Sequence, residues 1–250
     1  MKRVARLFLL LLFLAAAVTG SFYLYLYTHR NSGAVASALL AGFTSISPYK
    51  VAYAGPDSDP LCRQAYAFVK NNTGVCFIEN GDSSRYNPQE NIVYLTEKAL
   101  LADSAEAVHE FGHALDRYLN GEESGYFSRG ETFSQAYALD CARMQESFQA
   151  QDLFEAETYR NLAISDILFS VFYQDTAMTN TLIASYNASG VPYWRHDENY
   201  MSGLEKRQTE VFADIFVVLL SDDQQAQNFI QEFLPESKEV LHCAVSKREW

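Results

Sequence analysis

Charged residues are absent from Leu7 to Tyr27, and beyond that run apolar and polar positions recur with periods that separate helices from strands. About 20 uncharged, mostly apolar residues span a bilayer as a helix, and Lys2, Arg3 and Arg6 ahead of the run hold that end in the cytoplasm. Ala15, Ala16 and Ala17 would also serve as a signal-peptide cleavage site. The apolar run continues past them through Phe22, Tyr23, Leu24, Tyr25, Leu26 and Tyr27, with tyrosines where an interfacial belt belongs. The pattern therefore predicts an uncleaved single-pass cell-membrane anchor over residues 1–30, with secretion after cleavage as the alternative. In both cases everything after Arg30 lies outside the cytoplasm. Residues 31–57, rich in Ser, Gly and Ala and containing Pro48 and Pro56, read as a juxtamembrane linker, and residues 58–250 as one domain.

Within that domain Asp59-Pro60 opens a helix to about Asn71, with Leu61, Ala65 and Phe68 on its apolar side. Val75 to Glu79 and Asn91 to Leu95 have the β-branched and aromatic content of short strands, and Asn80-Gly81 is a turn signal between them. From Asp103 to Tyr118 the period is helical: Ala105, Val108, Gly112 and Leu115 form one stripe, and Glu106, His109, Glu110, His113 and Asp116 another. Asp103 and Glu106 have capping-box spacing at its start. Leu153, Phe154, Tyr159, Leu162, Ile164, Ile167, Leu168, Phe169 and Phe172 supply one or two helices within 150–199. Val211, Phe212, Ile215, Phe216 and Leu219 give the helix around Glu210 a strong apolar side. The expected class is α+β, mainly helical with a small sheet.

The polar stripe of the 103–118 helix carries chemistry. His109, Glu110 and His113 stand in the order H-E-x-x-H. Residues i and i+4 lie one above the other on a helix, so both imidazoles reach a single cation. Zn²⁺ held by two histidines and one further protein ligand keeps a position for water, and the adjacent Glu110 can take that water's proton. The third ligand must come from downstream, and Glu131 and Glu210 are the candidates. Glu210 has Asp214 one turn later on its own face, so one carboxylate can bind metal while the other orients a ligand histidine through its second ring nitrogen. Glu131 has only Gln135 at that place, and Glu210 is preferred. Asp214, and with it Asp116, are expected just behind the ligands.

Charge and cysteines narrow the surroundings. The chain carries a net −12, and removing the four positive charges of residues 1–30 leaves −16 on the rest. So acidic a domain argues against nucleic-acid or anionic-lipid binding. It would favour a basic substrate only if the charge lined the cleft; a solvated surface is the plainer reading. Cys62, Cys76, Cys141 and Cys243 show no C-x-x-C spacing. In an oxidising compartment an even number suggests disulfides, Cys62 with Cys76 and Cys141 with Cys243 being one of three pairings; in a weakly oxidising envelope buried free thiols are expected instead.

The run His109-Glu-Phe-Gly-His-Ala-Leu-Asp116, followed by Glu210-Val-Phe-Ala-Asp-Ile-Phe216, resembles the catalytic domain of anthrax lethal factor and its relatives. These include a secreted clostridial endopeptidase that cuts between prolines. The resemblance covers roughly residues 90 to 140 and 200 to 245, with a Phe-x-x-x-Tyr helix at Phe133 to Tyr137 and Pro235 ahead of a last helix. It implies a zincin-like metallopeptidase fold of the gluzincin type, one Zn²⁺ held by His109, His113 and Glu210, Glu110 as base, and a protein or peptide substrate. The Phe133 to Tyr137 segment matches one lying between the ligands in the family, which again points to Glu210 rather than Glu131. Family members carry a tyrosine shortly before the glutamate ligand that stabilises the tetrahedral intermediate. Tyr200 is its counterpart here, ten residues before Glu210 and a little further than the family spacing. In zinc peptidases of this type an edge strand ahead of the metal helix pairs with the substrate backbone, a role that would fall to Asn91–Leu95; an ordinary sheet strand with no substrate role is the alternative. Residues 150–199 read as an insertion relative to those relatives, placed to reshape substrate pockets.

A rival reading is a membrane-tethered binding or sensor protein that holds zinc without catalysis. Such a protein is expected to have lost the base or a ligand, and this chain has lost neither. A third, a helical exported domain with no metal, predicts no stoichiometric zinc.

Overall fold

The computed structural model describes residues 53–78, 83–96, 104–121, 125–148, 150 and 161–250. The anchor expected over 1–30, most of the linker, the Asn80-Gly81 turn, and Leu153, Phe154 and Tyr159 lie outside these residues. Among the described residues no helix is long and apolar enough to cross a membrane.

Part of the expected linker already packs on the domain: the N–H of Ala54 donates to the carbonyl of Leu220 at 2.7 Å, and Tyr53 bridges to Ser221. Helix α1 (Pro60–Asn72) is capped as its sequence predicts. Asp59 Oδ1 accepts from the N–H groups of Leu61 at 3.0 Å and Cys62 at 2.9 Å, a cap worth ~1 kcal/mol. Pro60 occupies a first-turn position whose N–H has no intrahelical partner anyway.

Strands β1 (Gly74–Ile78), β2 (Arg85–Asn87) and β3 (Ile92–Thr96) form a sheet in the order β1-β3-β2. β3 pairs in parallel with β1, Gly74 opposite Ile92, and antiparallel with β2, Tyr86 opposite Val93. The strand ahead of the metal helix is therefore central, not an edge. Both its flanks are occupied by the chain itself, which removes the expected backbone pairing with substrate at that strand. The cause is β2, three residues in a polar loop with no apolar alternation to announce them.

The remaining elements are α2 (Ser104–Leu119), a 3₁₀ turn (Phe127–Arg129), α3 (Glu131–Ser147), α4 (Leu162–Val171), α5 (Thr176–Ser189), the single turn α6 (Glu198–Met201), α7 (Leu204–Leu220), α8 (Gln224–Phe233) and α9 (Pro235–Ser246). Asp side chains cap three of them: Asp175 accepts from Met178 N–H, Asp197 from Tyr200 N–H and Asp223 from Ala226 N–H. Together they make a mostly helical α+β fold with a small three-stranded sheet.

Helix α7 is the hub. Every residue from Arg207 to Leu220 is buried, because α2 packs on one side of it and α4 on another. Its apolar side was expected from Val211, Phe212, Ile215, Phe216 and Leu219; the helix is in fact enclosed all round, with Phe133 edge-on to Phe212 at 5.5 Å and Tyr66 to Phe216 at 6.2 Å. Residues 150–199 supply α4 and α5, the helices expected there, but α4 is wholly core. From Ala163 to Val171 no residue is exposed.

No disulfide forms: all four cysteines are free. Cys62 is buried in the first turn of α1, whereas Cys76, opposite Tyr94, alternates with the core-facing Val75 and is only half-buried. Cys243 sits exposed on α9, its thiol donating along its own helix to Glu239 at 3.3 Å.

Candidate metal centre

The centre forms where α2 and α7 cross. Gly112 lets them touch: a Cβ there would stand 2.9 Å from Ala213 Cα and 3.0 Å from Ala213 Cβ. The crossing falls between His109 and His113 on one helix and between Glu210 and Asp214 on the other, so these four side chains meet.

Glu210 Oε2 lies 3.0 Å from His109 Nε2 and 3.4 Å from His113 Nε2. His109 Nδ1 is 2.9 Å from Asp214 Oδ1, with both side chains buried. The two imidazoles stand edge to face, their ring centres 4.6 Å apart. Trp194 packs edge-on against His109 at 5.5 Å and Tyr126 against His113 at 6.5 Å.

Electrostatically the cluster lacks a positive charge. Once Nδ1–H of His109 donates to Asp214, its Nε2 is a lone pair facing a carboxylate oxygen, and two acceptors at 3.0 Å repel unless a proton or a cation lies between them. In the bare protein a proton serves. Burial opposes it, but Asp214 and Glu210 outweigh burial and hold the His109 pKa well above its ordinary value. Burial likewise opposes ionisation of Glu210, yet His113 and His109 keep its carboxyl well below the usual range. A divalent cation competes for the same lone pairs. Two imidazole nitrogens and one carboxylate oxygen converging in this way could hold a divalent cation.

Comparison with protein-family models, with curated proteins and with solved structures finds no match. The site therefore stands on its own geometry.

Glu110 is buried, and among the described residues no group hydrogen-bonds its carboxylate. Burial, partly offset by His113 and His109, raises its pKa. Glu131 is exposed at the start of α3 and accepts from Gln135 at 2.9 Å, away from the two imidazoles, which removes it as a ligand. Asp116 is buried close by but holds no imidazole. Its Oδ1 accepts from Ser128 N–H at 2.7 Å and its Oδ2 from Ser128 Oγ at 2.6 Å, so it pins the 3₁₀ turn that follows Tyr126. His113 Nδ1, the atom Asp116 would have served, has no hydrogen-bond partner among the described residues.

Tyr200 reaches the centre despite its spacing. The turn α6 folds back against α7, held by Arg207, whose guanidinium donates to the Met201 carbonyl. The Tyr200 hydroxyl then donates to Glu210 Oε1 at 2.5 Å, and burial together with Glu210 raises its pKa far above the usual phenol value.

His196 was not anticipated. Its Nδ1 is 3.1 Å from Asp166 Oδ1, its Nε2 is 3.7 Å from Glu210 Oε2, and its ring stacks on Tyr200 at 4.8 Å. The arrangement repeats that of His109 and Asp214: a buried aspartate behind, Nε2 towards Glu210. Burial lowers the His196 pKa, but Asp166 reverses the effect and brings it to about 9. The one signal in the sequence was Asp166 itself, an acid inside an apolar run, which needs a partner once buried.

A cleft of about 790 Å³ opens beside the centre, lined by Arg195, His196, Asp197, Asn199, Tyr200 and Lys206. Arg195, Lys206 and His196 are basic and Asp197 is acidic, so the net negative charge of the chain is not concentrated along it.

Proposed function

We propose that this protein is a zinc-dependent endopeptidase of zincin-like fold, similar to the lethal factor catalytic domain, acting on proteins or peptides outside the cytoplasm. The supporting observation is the convergence of His109 Nε2, His113 Nε2 and Glu210 Oε2 with Glu110 buried alongside. Residues 1–30 would tether the domain to the cell membrane, or direct its secretion if cleaved.

Zinc, when bound by His109, His113 and Glu210, supplies a Lewis acid that polarises a peptide carbonyl and acidifies water. The chain's own groups do the rest. Glu110, unbonded by any described residue and raised in pKa by burial, takes a proton from water and returns it to the leaving amine. Asp214 fixes the His109 tautomer so that Nε2 faces the cation. Tyr200, at the rim of the cleft, offers a phenol proton where negative charge develops on the substrate oxygen.

A second reading, a zinc-holding tether without catalysis, has one observation in its favour. His196 Nε2 stands 3.7 Å from Glu210 Oε2, and a movement of this imidazole towards His109 and His113 would bring it to a fourth coordination position and close the site. The deciding experiment is a Glu110→Gln variant of the full-length protein assayed against a denatured protein substrate. The expected result is unchanged zinc content with cleavage reduced at least ~100-fold, and loss of wild-type cleavage on chelation with recovery on adding zinc. Cleavage by the variant at the parental rate would remove Glu110 as base; a zinc-loaded wild type with no cleavage would favour the tether.

A further inference from the structure

Away from the His109 centre, Asp59, Cys62 and His242 bring a carboxylate oxygen, a thiol sulfur and an imidazole nitrogen within 4.8 Å of one another. Asp59 caps α1 and Cys62 lies in its first turn, and His242 comes from α9, at the far end of the domain in sequence. The three belong to no part of the peptidase reading.

Their hydrogen bonding is incomplete in one direction. Asp59 Oδ1 is committed to the helix cap, accepting from the N–H groups of Leu61 and Cys62, which leaves Oδ2. Oδ2 lies 3.1 Å from His242 Nε2, yet the ring nitrogen is buried and makes no directed hydrogen bond. Cys62 itself is fully buried.

We propose that Asp59, Cys62 and His242 form a second metal site, for Zn²⁺ or another borderline divalent cation, that clasps the start of α1 to α9. The donor set suits such an ion: a thiolate, an imidazole and a carboxylate mix soft and hard character, and their two negative charges balance a divalent cation. Binding replaces the thiol proton, which leaves to solvent as the sulfur–metal bond forms. Without a cation that proton is held tightly, because burial and then Asp59 push the Cys62 thiol up. Entry is from the outer side, where the Asp59 and His242 side chains retain 18% and 20% of their surface. Since α1 and α9 are the first and last helices described, occupancy ties the two ends of the domain and raises its stability by mass action.

Cobalt distinguishes this site from the other, because His109, His113 and Glu210 contain no sulfur. Titrating full-length protein with Co²⁺ should show two equivalents bound and a thiolate-to-cobalt charge-transfer absorption in the near ultraviolet. The band should vanish in Cys62→Ser, weaken in the half-buried His242→Gln and persist in His113→Ala. Zinc should still raise the Tm of His113→Ala, and should no longer do so when Cys62→Ser is added. Absence of the band from the wild type, or its survival in Cys62→Ser, overturns the proposal. Neither result depends on whether the protein cleaves peptides.

Discussion

Gly112 and Ala213 touch backbone to backbone: a Cβ on Gly112 would meet Ala213 Cα at 2.9 Å and the Ala213 carbonyl oxygen at 3.3 Å. Two effects oppose each other in Gly112→Ala. Alanine in a helix interior is favoured over glycine by ~1 kcal/mol, whereas overpacking a rigid contact costs ~1–3 kcal/mol. The obstacle here is backbone, which cannot rotate away, so the second effect wins. We expect Gly112→Ala to lower unfolding free energy modestly and Gly112→Val by several-fold more, both with weaker zinc binding, because parting α2 from α7 separates His109 and His113 from Glu210. Urea denaturation and a zinc titration measure both; a Gly112→Val protein as stable and as tight for zinc as the parent contradicts the crossing.

Asp214 orients His109 through a 2.9 Å contact in a fully buried setting. Removing such a partner typically costs 10–100-fold, roughly, in metal affinity. Asp214→Asn keeps an acceptor for Nδ1–H and should fall near the low end of that range; Asp214→Ala, which frees the ring to turn, should fall near the high end. Competition against a chromogenic chelator gives the two affinities. Equal affinities for the parent and Asp214→Ala would show that the ring is held by something else.

Asp116 should reveal itself through pH rather than through metal. Burial, against the hydrogen bonds from Ser128, raises its pKa from 3.8 to about 7. The folded state therefore binds this proton more tightly than the unfolded chain does. Its contribution is complete below about pH 4 and is lost as pH rises towards 7, at up to roughly 1.4 kcal/mol per pH unit. Asp116→Asn cannot titrate, so the metal-free variant should show a flatter stability profile than metal-free parent between pH 4 and 7. Chemical denaturation at a series of pH values checks this, and parallel profiles would mean that Asp116 ionises normally.

How far the centre could be read from sequence depends on how local each signal is. His109, Glu110 and His113 lie within one turn of helix, and Glu210 with Asp214 within another, so periodicity alone makes each group face one way. That the two groups meet required only that both helices bury an apolar side, and they do. The pairing of His196 with Asp166 is different: 30 residues separate them, one in an irregular stretch and one inside an apolar helix, and no period links them. The sheet failed for a related reason. Ile92–Thr96 announces itself as a strand, but whether it is central depends on Arg85–Asn87, whose residues carry no apolar alternation. The sequence shows four cysteines, yet their directions follow from helix and strand faces that their number does not supply.

His196 and Tyr200 supply the sharpest test of the catalytic reading, because their stacked rings share one carboxylate between them. If His196 is a metal ligand, His196→Ala must lose metal affinity on the scale of the other ligands. If it instead buttresses Tyr200, the variant keeps its zinc. We expect the latter, since the Tyr200 hydroxyl is nearer to Glu210 at 2.5 Å than His196 Nε2 is at 3.7 Å, while Asp166 already holds the imidazole from behind. Tyr200→Phe should then lower kcat ~10²-fold, the usual size for losing one donor to a developing oxyanion, with KM and zinc content close to those of the parent. His196→Ala should reproduce part of that loss, and adding it to Tyr200→Phe should change kcat little further, because both act through the same hydroxyl. Multiplicative losses in the double variant would mean that His196 contacts the substrate on its own account, and loss of zinc from His196→Ala alone would mean that the site is closed by four ligands and the enzyme reading fails.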